Sequence, residues 1–152
     1  DRPTWIMAKT QTAARARRGR TWLVPEGNLS ATLIYKPQTT PAEAAKRSFL
    51  AANALYQALS IYVSADKLAL KWPNDVLLSG GKVAGILLES TGRAGQVDWL
   101  SIGIGVNLVA VPSGVVDAAF PPVSLEGEGG QGCDCHEMLS MLASNSSFTS
   151  VA

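Results

Sequence analysis

Residues 68–89 read LALKWPNDVLLSGGKVAGILLE, a pattern of two apolar segments around a pair of glycines. Two apolar runs, residues 68–78 and residues 83–89, lie on either side of the short sequence SGGK at residues 79–82. Adjacent glycines permit the tight turn that joins neighbouring antiparallel strands, so the stretch predicts a β-hairpin. Antiparallel pairing of the two apolar runs follows from that turn.

A proline at position 73 lies inside the first apolar run. Proline cannot donate a hydrogen bond to a sheet ladder, so we expect an edge, a bulge or a bend in this strand. A bend would direct Asn74 and Asp75 away from the ladder and toward a site. The alternative is that Asp75 only pairs with Lys71 or caps the bend, and that Lys82 is an exposed turn lysine.

The remaining strands are predicted from apolar and alternating segments. Residues 4–9 are apolar and β-prone, and residues 29–35 alternate with the period of a half-buried strand. Residues 97–108 follow the hairpin as a third strand, whose two Gly residues permit close backbone approach. Strand, loop, strand, helix and then three strands predict an α+β domain with a mixed, largely antiparallel sheet and flanking helices.

One long helix is predicted between these strands. Thr40 can cap it, Pro41 suits its first position, and Glu43 completes the capping pattern three residues after the cap. We expect the helix to run to about Val63. Its inward stripe is predicted to comprise Phe49, Ala52, Tyr56 and Leu59.

The C-terminal part, residues 127–152, carries a weaker pattern. Its first six residues include four glycines and are expected to form a loop. Residues 136–143 can form a short helix, whereas residues 144–152 are polar, uncharged and without periodicity, so we expect a frayed end. The chain is therefore divided into a principal domain at residues 1–126 and a poorly patterned tail at residues 127–152.

Composition excludes several classes of protein. The 152 residues, 47% of them hydrophobic, are enough for one domain with a core, and no apolar run approaches the length of a membrane span. One basic loop is smaller than the face that nucleic-acid binding requires, so no nucleic-acid partner is expected.

Cys133 and Cys135 are too close in sequence to favour a mutual disulfide, and CDCH at residues 133–136 is too compressed for a zinc site. We expect a cytoplasmic protein that does not enter a membrane.

A cationic segment precedes the second strand. Residues 11–22 read QTAARARRGRTW and contain four arginines without an acid. Guanidinium groups this close repel one another unless phosphate or carboxylate oxygens lie between them. Gln11 and Trp22 add an amide and an indole, so the segment can contact a polar heterocycle, a phosphate and an adenine face together. The plain alternative is a solvated turn.

Together, residues 11–22 and the block KWPNDVLLSGGKVAG at residues 71–85 resemble the catalytic domain of biotin protein ligases. The resemblance covers Trp5 to about Leu108 and implies a fold like that of class II aminoacyl-tRNA synthetases. It implies an ATP-dependent enzyme that makes biotinyl-5′-AMP and transfers biotin to a lysine of a biotin carboxyl carrier protein. The implied substrates are biotin and ATP with Mg²⁺, the implied carrier belongs to acetyl-CoA carboxylase or a related carboxylase, and a homodimer is compatible with the family.

The resemblance also implies roles for residues at matching positions. The expected catalytic residues are Lys82, Arg17 and Asp75. Biotin binding is expected of Gln11, Arg15, Ala16, Arg17 and Lys82. Contacts with ATP or the adenylate are expected of Arg18, Arg20, Trp22, Asn74 and Asn107. No metal ion with dedicated protein ligands is expected.

The sequence departs from the family pattern at Ala14 and Ala16, which stand where glycines are usual. A methyl group restricts positive φ and crowds a ligand that lies against the backbone. Either ligand binding is weakened, or the loop uses only α and β conformations and tolerates both alanines. The Ser-Thr-Asn box that precedes the arginine segment in the family and the C-terminal SH3-like domain are not seen, so the chain resembles a fragment. The alternative functions are a noncatalytic biotin- or adenylate-binding pseudoenzyme and a lipoate-ligase-like acyltransferase.

Overall fold

The computed structural model of the protein describes residues 2–115 and 119–149. The strands of the described residues form one sheet and are β1 (Thr4–Met7), β2 (Leu29–Tyr35), β3 (Leu68–Lys71), β4 (Asp75–Leu78), β5 (Gly81–Arg93) and β6 (Gln96–Val106). Their order is β1-β2-β6-β5-β4-β3, and all neighbours are antiparallel. The helices are α1 (Pro41–Ala45), α2 (Arg47–Leu59), α3 (Cys135–Ser144) and α4 (Ser146–Thr149). The predicted α+β class with a largely antiparallel sheet is confirmed.

The two faces of the sheet differ in chemistry. On one face, apolar side chains of β2 and β6, such as Leu33 and its partner Ile102, are buried beneath the helices. Helix α2 packs against β3, β4, β5 and β6 on this side. On the other face, Ser30 of β2 lies opposite Gly105 of β6, and small or polar residues continue along both strands. Side chains point alternately to the two faces along a strand, so successive residues of β2 and β6 contribute in turn to the apolar core and to this polar face.

The predicted long helix is two helices interrupted at Lys46. Its start is confirmed, because the hydroxyl of Thr40 accepts a hydrogen bond of 3.3 Å from the backbone amide of Glu43. The predicted inward stripe is wrong at Phe49, which is 49% exposed. Small residues let a helix approach a sheet closely, so the alanine-rich side of α2 faces the core. The buried residues of α2 are Ser48, Ala51, Ala52, Ala54, Leu55, Ala58 and Leu59.

The predicted single strand at residues 68–78 is a second hairpin. Strands β3 and β4 pair antiparallel, with Lys71 opposite Asp75, and residues 72–74 form the turn between them. The Trp72–Pro73 peptide bond in this turn is cis. A turn residue need not donate to the ladder, so the turn accommodates Pro73 without bending a strand.

The C-terminal part packs on the same core. The predicted short helix is confirmed as α3, whose Met138 and Leu142 are fully buried. The predicted fraying is wrong for residues 144–149, because Phe148 is 4% exposed and meets the ring of Trp5 edge-on at 5.3 Å. Residues 150–152 lie outside the described residues, and the division at residue 126 stays a prediction. In the parts of the chain that the structure describes, no helix is long and apolar enough to cross a bilayer.

Candidate active site

A cavity of about 410 Å³ lies over the polar face of the sheet. Residues 11–22, hereafter the arginine loop, form one wall, the β3–β4 turn forms another, and β5 and β6 form the floor. Positive charge exceeds negative charge around this space, which favours an anionic ligand. The charged lining residues are Arg15, Arg17, Arg18, Arg20, Lys71 and Lys82, with Asp75 and Glu89 as the acids.

The structure brings together all but one of the predicted site residues. Gln11, Arg15, Ala16, Arg17, Arg18, Arg20, Trp22, Asn74, Asp75 and Lys82 all line this cavity. Residues that are about sixty positions apart in the sequence meet at the cavity, because the antiparallel sheet places β2, β6, β5 and β4 side by side. Their individual roles stay predictions.

The arginine loop closes on itself through backbone hydrogen bonds. The amide of Trp22 donates to the carbonyl of Ala14 at 3.1 Å, and the amide of Ala16 donates to the carbonyl of Arg20 at 2.7 Å. Such cross-loop bonds hold the two arms together and turn the arginines of the tip toward the cavity. The loop is therefore ordered, although its four arginines are exposed to solvent.

The two alanines in the arginine loop do not strain its backbone. Ala16 is extended, with φ −107° and ψ −179°. Among the described residues of the loop, positive φ values occur only at Arg18 and Gly19, at 59° and 70°. Only positive φ would penalise a residue with a side chain, so Ala14 and Ala16 fit this conformation.

The ring of Trp22 lies on the glycine floor of the cavity. Gly85 and Gly105 are direct partners across β5 and β6. A Cβ at Gly105 would lie 2.7 Å from the Nε1 atom of Trp22, closer than van der Waals contact allows. The Nζ atom of Lys82 lies 5.2 Å from the centre of the indole, within range of a cation–π interaction. The glycines therefore make room for Trp22 as well as for a ligand.

Asp75 lies between two lysine ammonium groups. Its Oδ1 atom is 2.9 Å from Nζ of Lys82, and its Oδ2 atom is 3.6 Å from Nζ of Lys71. The side chain of Asp75 is 16% exposed and that of Lys82 is 25% exposed, so solvent screens this pair less than a surface pair. The alternative that Asp75 only pairs with Lys71 and that Lys82 is an exposed turn lysine is wrong, because Asp75 pairs with both lysines and Lys82 is partly buried.

A β-bulge directs Lys82 into the cavity. The register between β4 and β5 shifts by one residue, which leaves Val83 as an extra residue on β5. In a regular strand, Lys82 would point to the same face as the buried Ala84 and away from Gly85. With the bulge, the Cε atom of Lys82 lies 3.3 Å from the position of a Cβ at Gly85, so both face the cavity.

Asn74 connects the arginine loop to the sheet. Its Oδ1 atom accepts a hydrogen bond of 3.3 Å from Nη1 of Arg17, and its Nδ2 atom donates to the carbonyl of Ile86 at 2.5 Å. A second connection is the ion pair between Arg15 and Glu89, at 3.5 Å. Glu89 was not predicted as a site residue. Its place at the end of the apolar run on β5 was the only signal in the sequence.

Asn107 is the one predicted site residue that does not lie at the cavity. It does not line the cavity, it is 2% exposed, and its side chain is engaged elsewhere. Its Nδ2 atom donates to the carbonyls of Val123 at 3.1 Å and of Lys82 at 3.5 Å. The expectation that Asn107 contacts the adenylate came from the family resemblance, and a matching position in a motif does not reveal which way a side-chain amide points.

In the described part of the chain, the possible metal ligands and the two thiols do not form a second site. Within residues 2–115 and 119–149, no group of three or more His, Cys, Asp or Glu side chains could hold a metal ion. Burial raises the pKa of the Cys133 thiol and of the Cys135 thiol, which disfavours their thiolate forms. The hydrogen of the Cys135 thiol is donated to the carbonyl of Gly27 at 3.3 Å.

The sequence of the chain is similar to those of known proteins. Residues 1–107 match the model of the biotin/lipoate A/B protein ligase family. The chain is 52% identical over 142 residues to the biotin–acetyl-CoA-carboxylase ligase of Paracoccus denitrificans, covering 91% of this chain and 59% of that protein. It thus spans about three fifths of the length of this relative.

Solved structures are similar over nearly the whole chain. The biotin protein ligase of Leishmania major in complex with biotin matches with a TM-score of 0.76 and 26% identity, over 93% of this chain and 62% of that one. The biotin protein ligase of Aquifex aeolicus in complex with biotin and ATP matches with a TM-score of 0.75 and 26% identity, over 97% and 59%. The fold of the described residues is that of these catalytic domains.

Proposed function

The chain belongs to the biotin/lipoate A/B protein ligase family, and from this membership we propose that it joins biotin to a lysine of a biotin carboxyl carrier protein. Biotin and ATP first give biotinyl-5′-AMP and pyrophosphate, and the carrier lysine then takes the biotinyl group while AMP leaves. The name of the Paracoccus relative and the biotin and ATP of the Aquifex complex support this reaction. We propose the carrier of acetyl-CoA carboxylase as the acceptor and the cytoplasm as the compartment.

The observation that carries the proposal is the meeting of the arginine loop with Lys82 at one cavity. The first step joins two anions, because the biotin carboxylate attacks the α-phosphate of ATP. Repulsion between them and the charge that builds on the phosphoryl oxygens must be offset by fixed cations. A cavity of about 410 Å³ with six cationic side chains supplies them.

Five of the six cationic side chains have a proposed task in the first step. A carboxylate oxygen of biotin forms the new bond to the α-phosphorus, and the bond to the pyrophosphate oxygen breaks. Lys82 lies beside both reacting groups and stabilises the negative charge between them. Arg15 and Arg17 bind biotin from the wall that the arginine loop forms, and Arg18 and Arg20 bind phosphate oxygens. No protein nucleophile is needed.

Magnesium would enter with ATP and be held mainly by the phosphate oxygens, as is usual for this ion. The acids that line the cavity are Asp75 and Glu89, and both already pair with cations. This donor set fits an ion that arrives with its nucleotide and does not form a dedicated protein site. Bound in this way, the ion would neutralise phosphate charge.

Asp75 is the proposed polar partner of the acceptor lysine in the second step. The neutral amine of the carrier lysine attacks the carbonyl carbon of biotinyl-AMP, an amide forms, and the bond to AMP breaks. Asp75 orients this amine or receives its proton. The arginine loop covers the cavity during this step and limits hydrolysis of the anhydride by water.

A transfer assay tests the proposal. The protein is incubated with radiolabelled biotin, ATP and Mg²⁺, and then with a purified biotin carboxyl carrier domain. We expect biotinyl-AMP before the carrier is added and labelled carrier afterwards, with no label on a carrier whose acceptor lysine is replaced by arginine. Binding of biotin without adenylate would instead identify a noncatalytic protein, and labelling with lipoate in place of biotin would identify a lipoate ligase.

A further inference from the structure

Two buried asparagines face each other at the end of the sheet. Asn28 precedes β2 and Asn107 follows β6, where the β2–β6 register places them directly opposite. They are 4% and 2% exposed. The Nδ2 atom of Asn28 donates to Oδ1 of Asn107 at 3.3 Å. Burial of two side-chain amides raises the free energy of the folded state unless their hydrogen bonds are made. The hydrogen bonds of this pair are therefore a specific feature of the structure.

Asn28 satisfies its remaining groups on the chain that leaves β6. Its Oδ1 atom accepts from the backbone amides of Val109 at 3.0 Å and Ala110 at 3.1 Å. Its Nδ2 atom also donates to the carbonyl of Ala110 at 2.8 Å. One side chain therefore fixes both Asn107 and the segment that follows it.

Asn107 extends these bonds to Lys82. Its Nδ2 atom bridges the carbonyls of Val123 and Lys82. The backbone of Lys82 is also bonded on the same side, because its amide donates to Pro121 at 2.9 Å and its carbonyl accepts from Val123 at 3.0 Å. Lys82 thus lies at the start of the bulged strand, held by a segment that the asparagine pair keeps in place.

We propose that Asn28 is a positioning residue for Lys82. Asn28 orients the amide of Asn107, Asn107 joins the 121–123 segment to the backbone of Lys82, and the bulge then aims the ammonium group at Asp75 and the cavity. Asn28 itself does not line the cavity. This inference rests on the proposed function of Lys82 in adenylation, and it assigns Asn28 a task without substrate contact.

Asn28→Asp tests the link because it keeps the oxygen that accepts from the amides of Val109 and Ala110, and removes the Nδ2 group that donates to Asn107 and to the carbonyl of Ala110. The matched control is Asn145→Asp, the same change at a residue that does not line the cavity, whose Nδ2 atom donates to Gln57 and whose Oδ1 atom accepts from the amide of Ser147. We expect Asn28→Asp to lower kcat for biotinyl-AMP formation about tenfold, with the KM for ATP changed by less than about threefold, and Asn145→Asp to change neither. Asn28→Ser serves as a second, smaller change if the aspartate variant does not fold.

A double-mutant cycle separates positioning from a general loss of stability. If Asn28 acts through Lys82, its replacement lowers the residual single-turnover rate of Lys82→Ala by no more than about twofold. An equal tenfold loss in both backgrounds, or no loss in the wild-type background, would overturn the proposal.

Hydrogen exchange separates this inference from the proposed function. If the wild-type protein forms no biotinyl-AMP, the function fails, and the backbone amides of Lys82 and Val123 then decide the inference. Exchange at these amides about tenfold faster in Asn28→Asp than in Asn145→Asp supports the positioning role. Unchanged exchange at both amides contradicts it, whatever the protein catalyses.

Discussion

The ammonium group of Lys82 and the carboxylate of Asp75 lie 2.9 Å apart on opposite arms of the β4–β5 hairpin. Asp75 also meets Lys71, so one carboxylate holds two cations at the edge of the cavity. A substrate anion can approach this cluster without first ordering the side chains. Preorganised charge of this kind is more effective than charge that must be arranged during the reaction.

Lys82→Ala should lower the rate of biotinyl-AMP formation by about 100-fold, because it removes a fixed cation from the reacting phosphate. Single-turnover measurement of biotinyl-AMP from labelled ATP checks this rate. Lys67→Ala is the control, since Lys67 lies in an exposed short 3₁₀ helix, residues Ala65–Lys67, and does not line the cavity. Equal rates for the two variants would remove Lys82 from the mechanism.

Gly105→Ala should displace Trp22, because the added methyl group would lie 2.7 Å from the indole nitrogen. We expect a lower free energy of unfolding by about 1–3 kcal/mol and weaker nucleotide binding. Gly103→Ala is the matched comparison, since its Cβ would lie 3.4 Å from its nearest neighbour, the carbonyl oxygen of Leu87. Urea denaturation and nucleotide titration measure both effects, and a larger loss at Gly103 would contradict the assigned packing of Trp22.

Arg17→Ala should shorten the lifetime of biotinyl-AMP, because it breaks the bond to Asn74 that ties the arginine loop to the sheet. We expect release or hydrolysis of the intermediate to accelerate about tenfold when no carrier is present. Quenched time points with labelled biotin follow this decay. Arg2→Ala, a change of the same type at a residue that does not line the cavity, should leave the lifetime unaltered, and equal decay in wild type and Arg17→Ala would refute loop closure through this contact.

Phe148→Ala should destabilise the protein by about 3 kcal/mol, because the ring is buried against Trp5. Phe49→Ala should cost about 1 kcal/mol or less, because Phe49 is 49% exposed. Urea unfolding curves of the two variants compare the same substitution at a buried and an exposed site. A larger loss of stability in Phe49→Ala than in Phe148→Ala would instead support a core position for Phe49 and a frayed C-terminus.

The sequence predicted features that depend on local chemistry. The glycine turn before Lys82, the Thr40 cap and the arginine loop each follow from a residue's own backbone or charge preference. The meeting of the arginine loop with Lys82 came from the family resemblance, since no local pattern states which distant segments converge.

Features that depend on packing were not predicted. Hydrophobicity placed Phe49 inward, but the close approach of alanines to the sheet decided the face of α2. The orientation of Asn107 depends on Lys82 and Val123, which are 25 and 16 residues away along the chain. The extra residue Val83 in the β4–β5 hairpin has no signature in the local sequence. Pro73 gave the right position for an irregularity, but it did not distinguish a bend from the turn of a hairpin.

Calorimetric titration of biotin into the wild-type protein and into Arg17→Ala and Lys82→Ala tests most directly whether the arginine loop and the hairpin lysine serve one site. We expect one biotin per chain for the wild type and weaker binding in both variants, because each variant loses a cation that faces the same carboxylate. Absence of biotin binding by the wild type, or unchanged affinity in both variants, would contradict it.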